Sequence, residues 1–365
     1  MTPEIAGVAG QFRFEGDLVD ATPLLAGHIH QTLVARCRAR AGVRRYLLQE
    51  INQNVFRDPA ALMENIERVT GHLRGRIASA GGDPARETLT LAPTSAGASF
   101  HRTAAGACWR AYEFIEGATA YERPRDLAQV TAAARAFGAF QGMLTDFPAA
   151  TLHEVLPGFH DTPRRFAAFL EAVRRDKVNR AAGVREEISF YEKRAPETGL
   201  IAGLLRDGQL PLRVTHNDAK FSNVLMDDRT GAGLCVVDLD TVMPGTALFD
   251  FGDAVRAGAA TAAEDDQDST RAGISLPTFE ALARGYLEAA GSFLTAAEVE
   301  HLAFSARLIT LEQGMRFLAD YLDGDAYYRV HREGQNLDRC RTQLGMLRDM
   351  ERNFDRMEAI VGSCR

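Results

Sequence analysis

The segment His216-Asn217-Asp218-Ala219-Lys220-Phe221-Ser222-Asn223 carries the spacing H-x-D-x-K-x-x-N between two short apolar runs, residues 213–215 and 224–227. Fifteen residues beyond Asn223, a third apolar run, 234–238, ends on Asp238, followed by Leu239-Asp240. A carboxylate leaving the end of a buried strand is costly unless it is paired or binds a cation. These residue types are the parts that phosphoryl transfer needs. One carboxylate takes the proton of the attacking hydroxyl, an Asn oxygen and a second Asp hold Mg²⁺ on nucleotide phosphates, and a cation offsets charge on the transferring group. Asp218, Asn223, Asp238 and Lys220 supply one of each. Such catalysis is positioning and electrostatics, so a fixed loop suits it. Composition alone predicts an H-x-D-x-x-x-x-N roughly 0.01 times in a chain of this size, so a chance polar turn is the weaker reading. His216 reads as a structural hydrogen-bonding residue of the loop. Asp240 points to the same side of an extended strand as Asp238, as a second ligand or as a solvated acid.

Elements on both sides must hold this loop. The first third reads as mostly strand, over 10–15, 28–36, 44–51, 88–92, 99–103 and 107–115. One helix interrupts it. Asp58 suits the N-cap, Pro59 the first helical position, and Leu62, Ile66, Val69 and Leu73 follow at helical spacing until Gly81-Gly82-Asp83. After Glu116-Gly117 helices dominate, over 125–147, 163–178, 183–197, 247–258, 277–290, 296–322 and 336–360. The expectation is an α+β, bilobal fold. Residues 1–115 form a small antiparallel β-rich lobe, and 116–365 form a larger helical lobe with the catalytic loop. That division suits 365 residues, because single cores stop growing near ~250–300 residues. The segment 260–274 reads as a polar surface loop. Asp161 or Thr162 reads as a helix cap, and Trp109 as a core residue of its strand.

Composition excludes several classes. The chain has 42 Lys+Arg against 49 Asp+Glu, a net charge of −7, which argues against a general nucleic-acid binder. Only Lys177, Lys193 and Lys220 are lysines, so no Gly-rich loop is followed by the lysine of a P-loop. The five cysteines are scattered, with no disulfide or zinc pattern. The first residues lack a signal-peptide pattern, and no apolar stretch is long enough to span a membrane. The expectation is a cytoplasmic protein acting on a small molecule, with neither nucleic acid nor membrane as partner.

The bilobal outline with His216-Asn217-Asp218, Asn223 and Asp238 resembles the aminoglycoside phosphotransferase/choline kinase branch of the protein-kinase-like fold. A fuller match is similar to the N-acetylhexosamine 1-kinases. It runs through Gly27-His28-Ile29-His30, Tyr46–Asn52, Leu62–Val69, Trp109–Phe114, Phe159–Pro163, Val236–Arg256 and Gly314–Leu318. The resemblance implies ATP- and Mg²⁺-dependent transfer to the C1 hydroxyl of an N-acetylhexosamine. Asp218 would be the base and Lys220 the catalytic cation, with Asn223 and Asp238 on the metal. His28, Arg316 and Tyr327 would contact the sugar. Gly27 and Gln49 would face the phosphates, and the adenine would sit against Tyr112, Glu113, Phe114 and Ile115. Asp250 would brace the catalytic loop.

The chain departs from the kinase pattern in one respect. Such folds place a lysine on the third strand, with a helix glutamate behind it. Here the strand reads Arg45-Tyr46-Leu47-Leu48-Gln49-Glu50, the lobe has no lysine, and Glu64 or Glu67 is left without that cation. Two rival readings stay open. One is a kinase of another hydroxyl substrate, such as an aminoglycoside, choline, homoserine or another sugar, for which the acidic run 264–268 would line a groove for a cationic acceptor. The other is a nucleotide- or sugar-binding pseudokinase.

Overall fold

The computed structural model describes residues 2–24 and 29–364. Gly27 and His28, expected at the phosphates and the acceptor, lie outside the described residues. The N-terminal part is one antiparallel sheet. Its strands are β1 (Asp17–Pro23), β2 (Gln31–Ala39), β3 (Gly42–Glu50), β4 (Phe100–Arg102) and β5 (Cys108–Glu113), in the order β1-β2-β3-β5-β4. Helix α1 (Pro3–Ala9) precedes the sheet, and α2 (Pro59–Ser79) and α3 (Pro84–Glu87) lie between β3 and β4. Asp58 caps α2 by accepting from the Ala60 and Ala61 N–H groups, both at 3.1 Å. The i, i+4, i+7 spacing of Leu62, Ile66 and Val69 then buries one face of that helix.

The chain leaves this sheet at Phe114–Gly117. The next strand, β6 (Ala118–Ala120), pairs instead with a catalytic hairpin. Strand β7 (Arg213–Thr215) leads into the motif, and β8 (Val224–Asp227) and β9 (Gly233–Val236) follow it, in the order β6-β8-β9. Strand β10 (Met243–Gly245) pairs back on β7. Helix α4 (Leu127–Met143) covers the hairpin, and α5 (Thr162–Arg175), α6 (Arg185–Glu192), α7 (Ala195–Thr198) and α8 (Leu200–Arg206) complete that stretch. Beyond β10 come α9 (Ala247–Gly258), α10 (Leu276–Ala290), α11 (Ala296–Glu300), α12 (Leu302–Asp323), α13 (Gln335–Arg352) and α14 (Phe354–Ser363). Helices α4 and α10 approach closely through two glycines. A Cβ at Gly138 would lie 2.8 Å from the Tyr286 carbonyl oxygen, and one at Gly285 would overlap the Thr131 carbonyl. Among the described residues no helix is long and apolar enough to cross a membrane.

One core cluster joins both parts. Ile66 of α2, Tyr112 of β5, Phe137 of α4, Val214, Val224 and Val236 pack together. The catalytic hairpin is thus seated on side chains from the sheet, the first long helix and the helical part. Each such large apolar residue contributes about 1.5–3 kcal/mol on full burial.

Several expected boundaries differ. Residues 10–15 form no strand; Phe12 makes only an isolated bridge to Thr94. The first strand is Asp17–Pro23, an edge strand whose two aspartates and proline hide its β character. Residues 88–92 are not a regular strand either, although Leu91 bridges Tyr112. The run 183–197 breaks at Lys193, with Pro196 in the first turn of α7. The run 296–322 breaks at His301, and 336–360 at Asn353. In each case amphipathic periodicity continues across a short kink, so spacing alone reads one helix. The segment 260–274 is tied down rather than free, by an Ala260–Ile274 bridge and a 3₁₀ turn at Ser269–Arg271.

Candidate active site

The motif loop is fixed from below by Asp250 of α9. Its buried carboxylate accepts from the backbone N–H groups of His216 (2.9 Å) and Asn217 (2.6 Å), and from Gln141 Nε2 (2.6 Å). Asn217 takes the left-handed conformation, φ 64°, which turns the chain sharply before Asp218. Its side-chain amide donates to the Thr215 and Thr241 carbonyls, which makes a non-glycine tolerable there. His216 is structural, as its sequence context suggested. The Asp218 N–H donates to its Nδ1 at 3.3 Å, so Nε2 carries the proton and donates to Val237 O at 2.8 Å. Phe137 and Phe140 stand edge-on to its ring.

Asp218 stands on this braced loop with its carboxylate partly open to solvent. Lys220 Nζ lies 2.9 Å from its Oδ2. Burial acts to lower the Lys220 ammonium, but Asp218, with Asp253 and Asp238, raises it overall, so the cation is retained. Asn223 Nδ2 donates to Asp218 O at 2.8 Å and to Asp218 Oδ2 at 3.2 Å. That fixes the amide orientation and leaves the Asn223 oxygen free to coordinate.

Asp238 arrives beside Asn223 because β8 and β9 pair Val224 with Val236, and Val237 N–H donates to Asn223 O at 2.9 Å. Its own backbone is left-handed, φ 61°, between β9 and a 3₁₀ turn at Leu239–Thr241. The residue is exposed. The protein packed round it, with the Asp240 and Asp218 carboxylates, pushes it up to about 6. An exposed carboxylate crowded by two other acids, with Lys220 nearby but no ion pair of its own among the described residues, suits a bound cation. Among the described residues no three His, Cys, Asp or Glu side chains form a metal cluster. The Asn223 and Asp238 oxygens fit Mg²⁺, which usually takes one or two protein ligands plus phosphate oxygens and water. When bound, that ion supplies charge neutralisation to the phosphates. The chain's own part would be to hold those oxygens beside the Asp218 carboxylate.

The phosphate side differs from expectation. The Gln49 amide is not free, because its Nε2 donates to Thr32 Oγ1 (3.0 Å) and its Oε1 accepts from Arg110 Nε (3.0 Å). Glu64 pairs with His153 at 2.9 Å and Arg68 at 3.8 Å. Asp240 is neither a free ligand nor a solvated acid. It is buried against Arg110 and His30, and these reverse the upward push of burial and hold its carboxyl well below the usual carboxylate range. Sequence reasoning missed Arg110. The available signal was an arginine inside the otherwise apolar run Cys108–Tyr112, every residue of which is buried.

The linker has a mixed character. Tyr112 is 4% exposed and belongs to the core beneath the cleft, with its phenol pushed up by burial. The Glu113 N–H donates to Thr90 O and the Phe114 N–H to Arg45 O, whose guanidinium lies over the Phe114 ring. Among the described residues the Ile115 N–H and C=O have no backbone partner.

On the other side of the loop, His160 donates to Asn217 O (3.2 Å) and to Glu312 Oε1 (2.9 Å). Burial alone would lower this imidazole, but Glu312 raises it, and both nitrogens face acceptors. Asp161 caps α5, as expected, and Thr162 Oγ1 donates to Glu312 Oε2 at 2.7 Å. One turn along α12, Arg316 donates to Gln313 Oε1 at 2.9 Å. Its guanidinium lies 5.4 Å from the Phe159 ring and 5.7 Å from that of Tyr328. Arg165, which sequence reasoning passed over, donates to Phe159 O at 3.1–3.2 Å; burial and the nearby Arg316 charge lower its pKa. Among the described residues neither arginine has a carboxylate partner. Tyr327, 68% exposed, stands edge-on to Tyr328 at 4.8 Å. Arg256 links this wall to the loop electrostatically, feeling both Asp218 and Arg316.

Known proteins share this family and fold. The model of the family described as "Phosphotransferase enzyme family" matches residues 41–296. An aminoglycoside phosphotransferase from Alicyclobacillus acidocaldarius superposes with a TM-score of 0.64 at 13% identity, covering 100% of this chain and 97% of its own. A choline kinase from Cryptosporidium parvum gives 0.60 at 13% identity, with 100% and 99% covered. A phosphotransferase solved with GDP and kanamycin gives 0.58 at 12% identity, with 96% and 99% covered. With two carboxylates and an amide gathered at one hairpin and a family match over more than half its length, the chain belongs to the phosphotransferase enzyme family.

Proposed function

We propose that the protein is an ATP- and Mg²⁺-dependent anomeric kinase that phosphorylates the C1 hydroxyl of an N-acetylhexosamine, giving the sugar 1-phosphate and ADP. The observation that carries this reading is the wall beside Asp218. Arg165 and Arg316 lie there among Phe159, Tyr327 and Tyr328, with no direct ion pair among the described residues and with Glu312 as the carboxylate that acts on both. Two guanidiniums against the one carboxylate of Glu312, which His160 also engages, leave the wall net positive, so aminoglycosides and choline suit it poorly. Neutral hydroxyl and amide oxygens accept from guanidinium N–H groups, and sugar C–H faces pack on aromatic rings. The acidic run offers no groove for a cation either. Glu264 pairs with Arg256 (3.0 Å), Asp265 accepts from Gln335 (2.8 Å), Asp266 pairs with Arg271 (3.3 Å), and Asp268 caps a turn. A hemiacetal hydroxyl is more acidic than an ordinary alcohol, so a carboxylate base at Asp218 is adequate.

The test is ADP release from ATP·Mg²⁺ across a panel of free N-acetylhexosamines, plain hexoses, choline, ethanolamine and kanamycin. The N-acetylhexosamines are expected to give the highest kcat/KM, by about tenfold or more over the amines, since each 1.4 kcal/mol of differential binding is one decade. Faster turnover of an amine would overturn the reading. Turnover of nothing in the panel, with ATP·Mg²⁺ bound, would favour a pseudokinase.

A further inference from the structure

The first sheet has no lysine to link its third strand to helix α2, yet it does carry a buried cation. Arg110 of β5 lies directly opposite Gln49 of β3 in the sheet register. It is 2% exposed, so its guanidinium must be matched. The match comes from across the cleft. Arg110 Nη2 donates to Asp240 Oδ2 at 2.7 Å and Nη1 donates to Asp240 Oδ1, a bidentate fork on a residue 130 positions away. The third donor position, Nε, is taken by Gln49 at 3.0 Å. His30 completes the cluster. Asn52 N–H donates to its Nδ1 at 3.0 Å, so Nε2 carries the proton and donates to Asp240 Oδ2 at 2.6 Å. Arg110 of one strand and His30 of a loop in the N-terminal part thereby meet at a single carboxylate, with Gln49 of a second strand bracing the arginine.

The location of that carboxylate gives the cluster its meaning. Asp240 lies in the 3₁₀ turn that begins immediately after Asp238, whose left-handed backbone aims its side chain at the cleft. Fixing the turn fixes the direction of Asp238. Covering the Asp240 charge with Arg110 also keeps a second free carboxylate from competing for a cation beside Asp238. Arg110 itself is too enclosed, and too fully engaged, to reach a phosphate.

We propose that Arg110 and Asp240 form the positioning pair that couples the nucleotide-side sheet to the metal-binding strand end. They supply a buried ion pair where kinase-like folds place a strand lysine and a helix glutamate, with the cation on β5 and the anion next to Asp238, but without the lysine's contact to phosphate. Arg110 acts through Asp238 and is a positioning residue. The proposal rests on Asp238 and Asn223 as the metal-holding oxygens.

The experiment compares Arg110→Lys, the double variant Arg110→Met/Asp240→Leu, and Asp238→Asn with the parent. Calorimetry measures binding of ATP·Mg²⁺ and of metal-free ATP in EDTA, electron paramagnetic resonance measures Mn²⁺ binding with ATP, and thermal unfolding monitors the fold. Lysine keeps the charge but cannot make the fork, and the apolar pair keeps volume without charge. Both are expected to unfold within a few degrees of the parent. Both should bind metal-loaded ATP and Mn²⁺ about 10- to 100-fold more weakly, the size expected when a partner behind a metal ligand is lost. Metal-free ATP binding should be unchanged. A folded Arg110→Lys protein with parental metal-loaded affinity and parental kcat would overturn the proposal, even if the double variant fails to fold. If Asp238→Asn also binds metal-loaded ATP like the parent, the metal assignment fails. If Asp238→Asn weakens it and Arg110→Lys does not, only the positioning role fails.

Discussion

Asp218→Asn lowers kcat by about 10²–10⁴-fold, the range attributed to a positioned general base, while ATP·Mg²⁺ binding stays within a few-fold of the parent. The substitution preserves shape. The new amide oxygen can still accept from Asn223 Nδ2, now at 3.2 Å from Oδ2, and the loop brace does not involve this side chain. Only the proton acceptor and the partner of Lys220 disappear. That ion pair is partly exposed, so its loss has little effect on stability. Paired measurements of ADP release and calorimetric nucleotide binding check the result. Near-parental kcat in the asparagine variant would remove Asp218 from the chemistry.

The second large effect is expected at Asp250, which touches no substrate. Its carboxylate is the acceptor for two successive backbone N–H groups, those of His216 and Asn217, and for Gln141. Asp250→Ala leaves the two buried backbone donors unmatched, at about 1–3 kcal/mol each, so urea unfolding should show a loss of about 2–6 kcal/mol. Because Asn217 immediately precedes Asp218, kcat should fall as well, and by more than the KM for ATP changes. Asp250→Asn keeps one acceptor oxygen and should lie between the two. Unchanged unfolding in the alanine variant would mean that the loop holds its strained φ without this brace.

These expectations show which features were legible in the sequence. The loop residues could be read because their chemistry depends on close spacing. Asp218 and Asn223 are five residues apart on one turn, and the pairing of β8 with β9 brings Asp238 beside them. The division into a sheet and a helical part was also readable, since periodicity changes near Glu116-Gly117. Long-range pairings were not. With 39 arginines in the chain, nothing marked Arg110 apart from its apolar neighbours, and its partner lies 130 residues on. The same holds for Arg165, which the α5–α12 packing sets beside Arg316. His30, which its spacing did not single out, reaches Asp240. Helix ends were blurred because α11 and α12, like α13 and α14, are separated by a single residue. The apolar stripe does not register so short a break.

The wall of Arg165, Arg316 and aromatic rings beside a carboxylate base leads to one decisive measurement. The protein is incubated with ATP·Mg²⁺ and N-acetylglucosamine or N-acetylgalactosamine, and the product is examined by ³¹P and ¹H NMR. The expected spectrum shows a phosphorus nucleus coupled to the anomeric proton, appearing in step with ADP. Phosphate on a different hydroxyl, or ADP released only when an amine acceptor is added, would contradict an anomeric N-acetylhexosamine kinase.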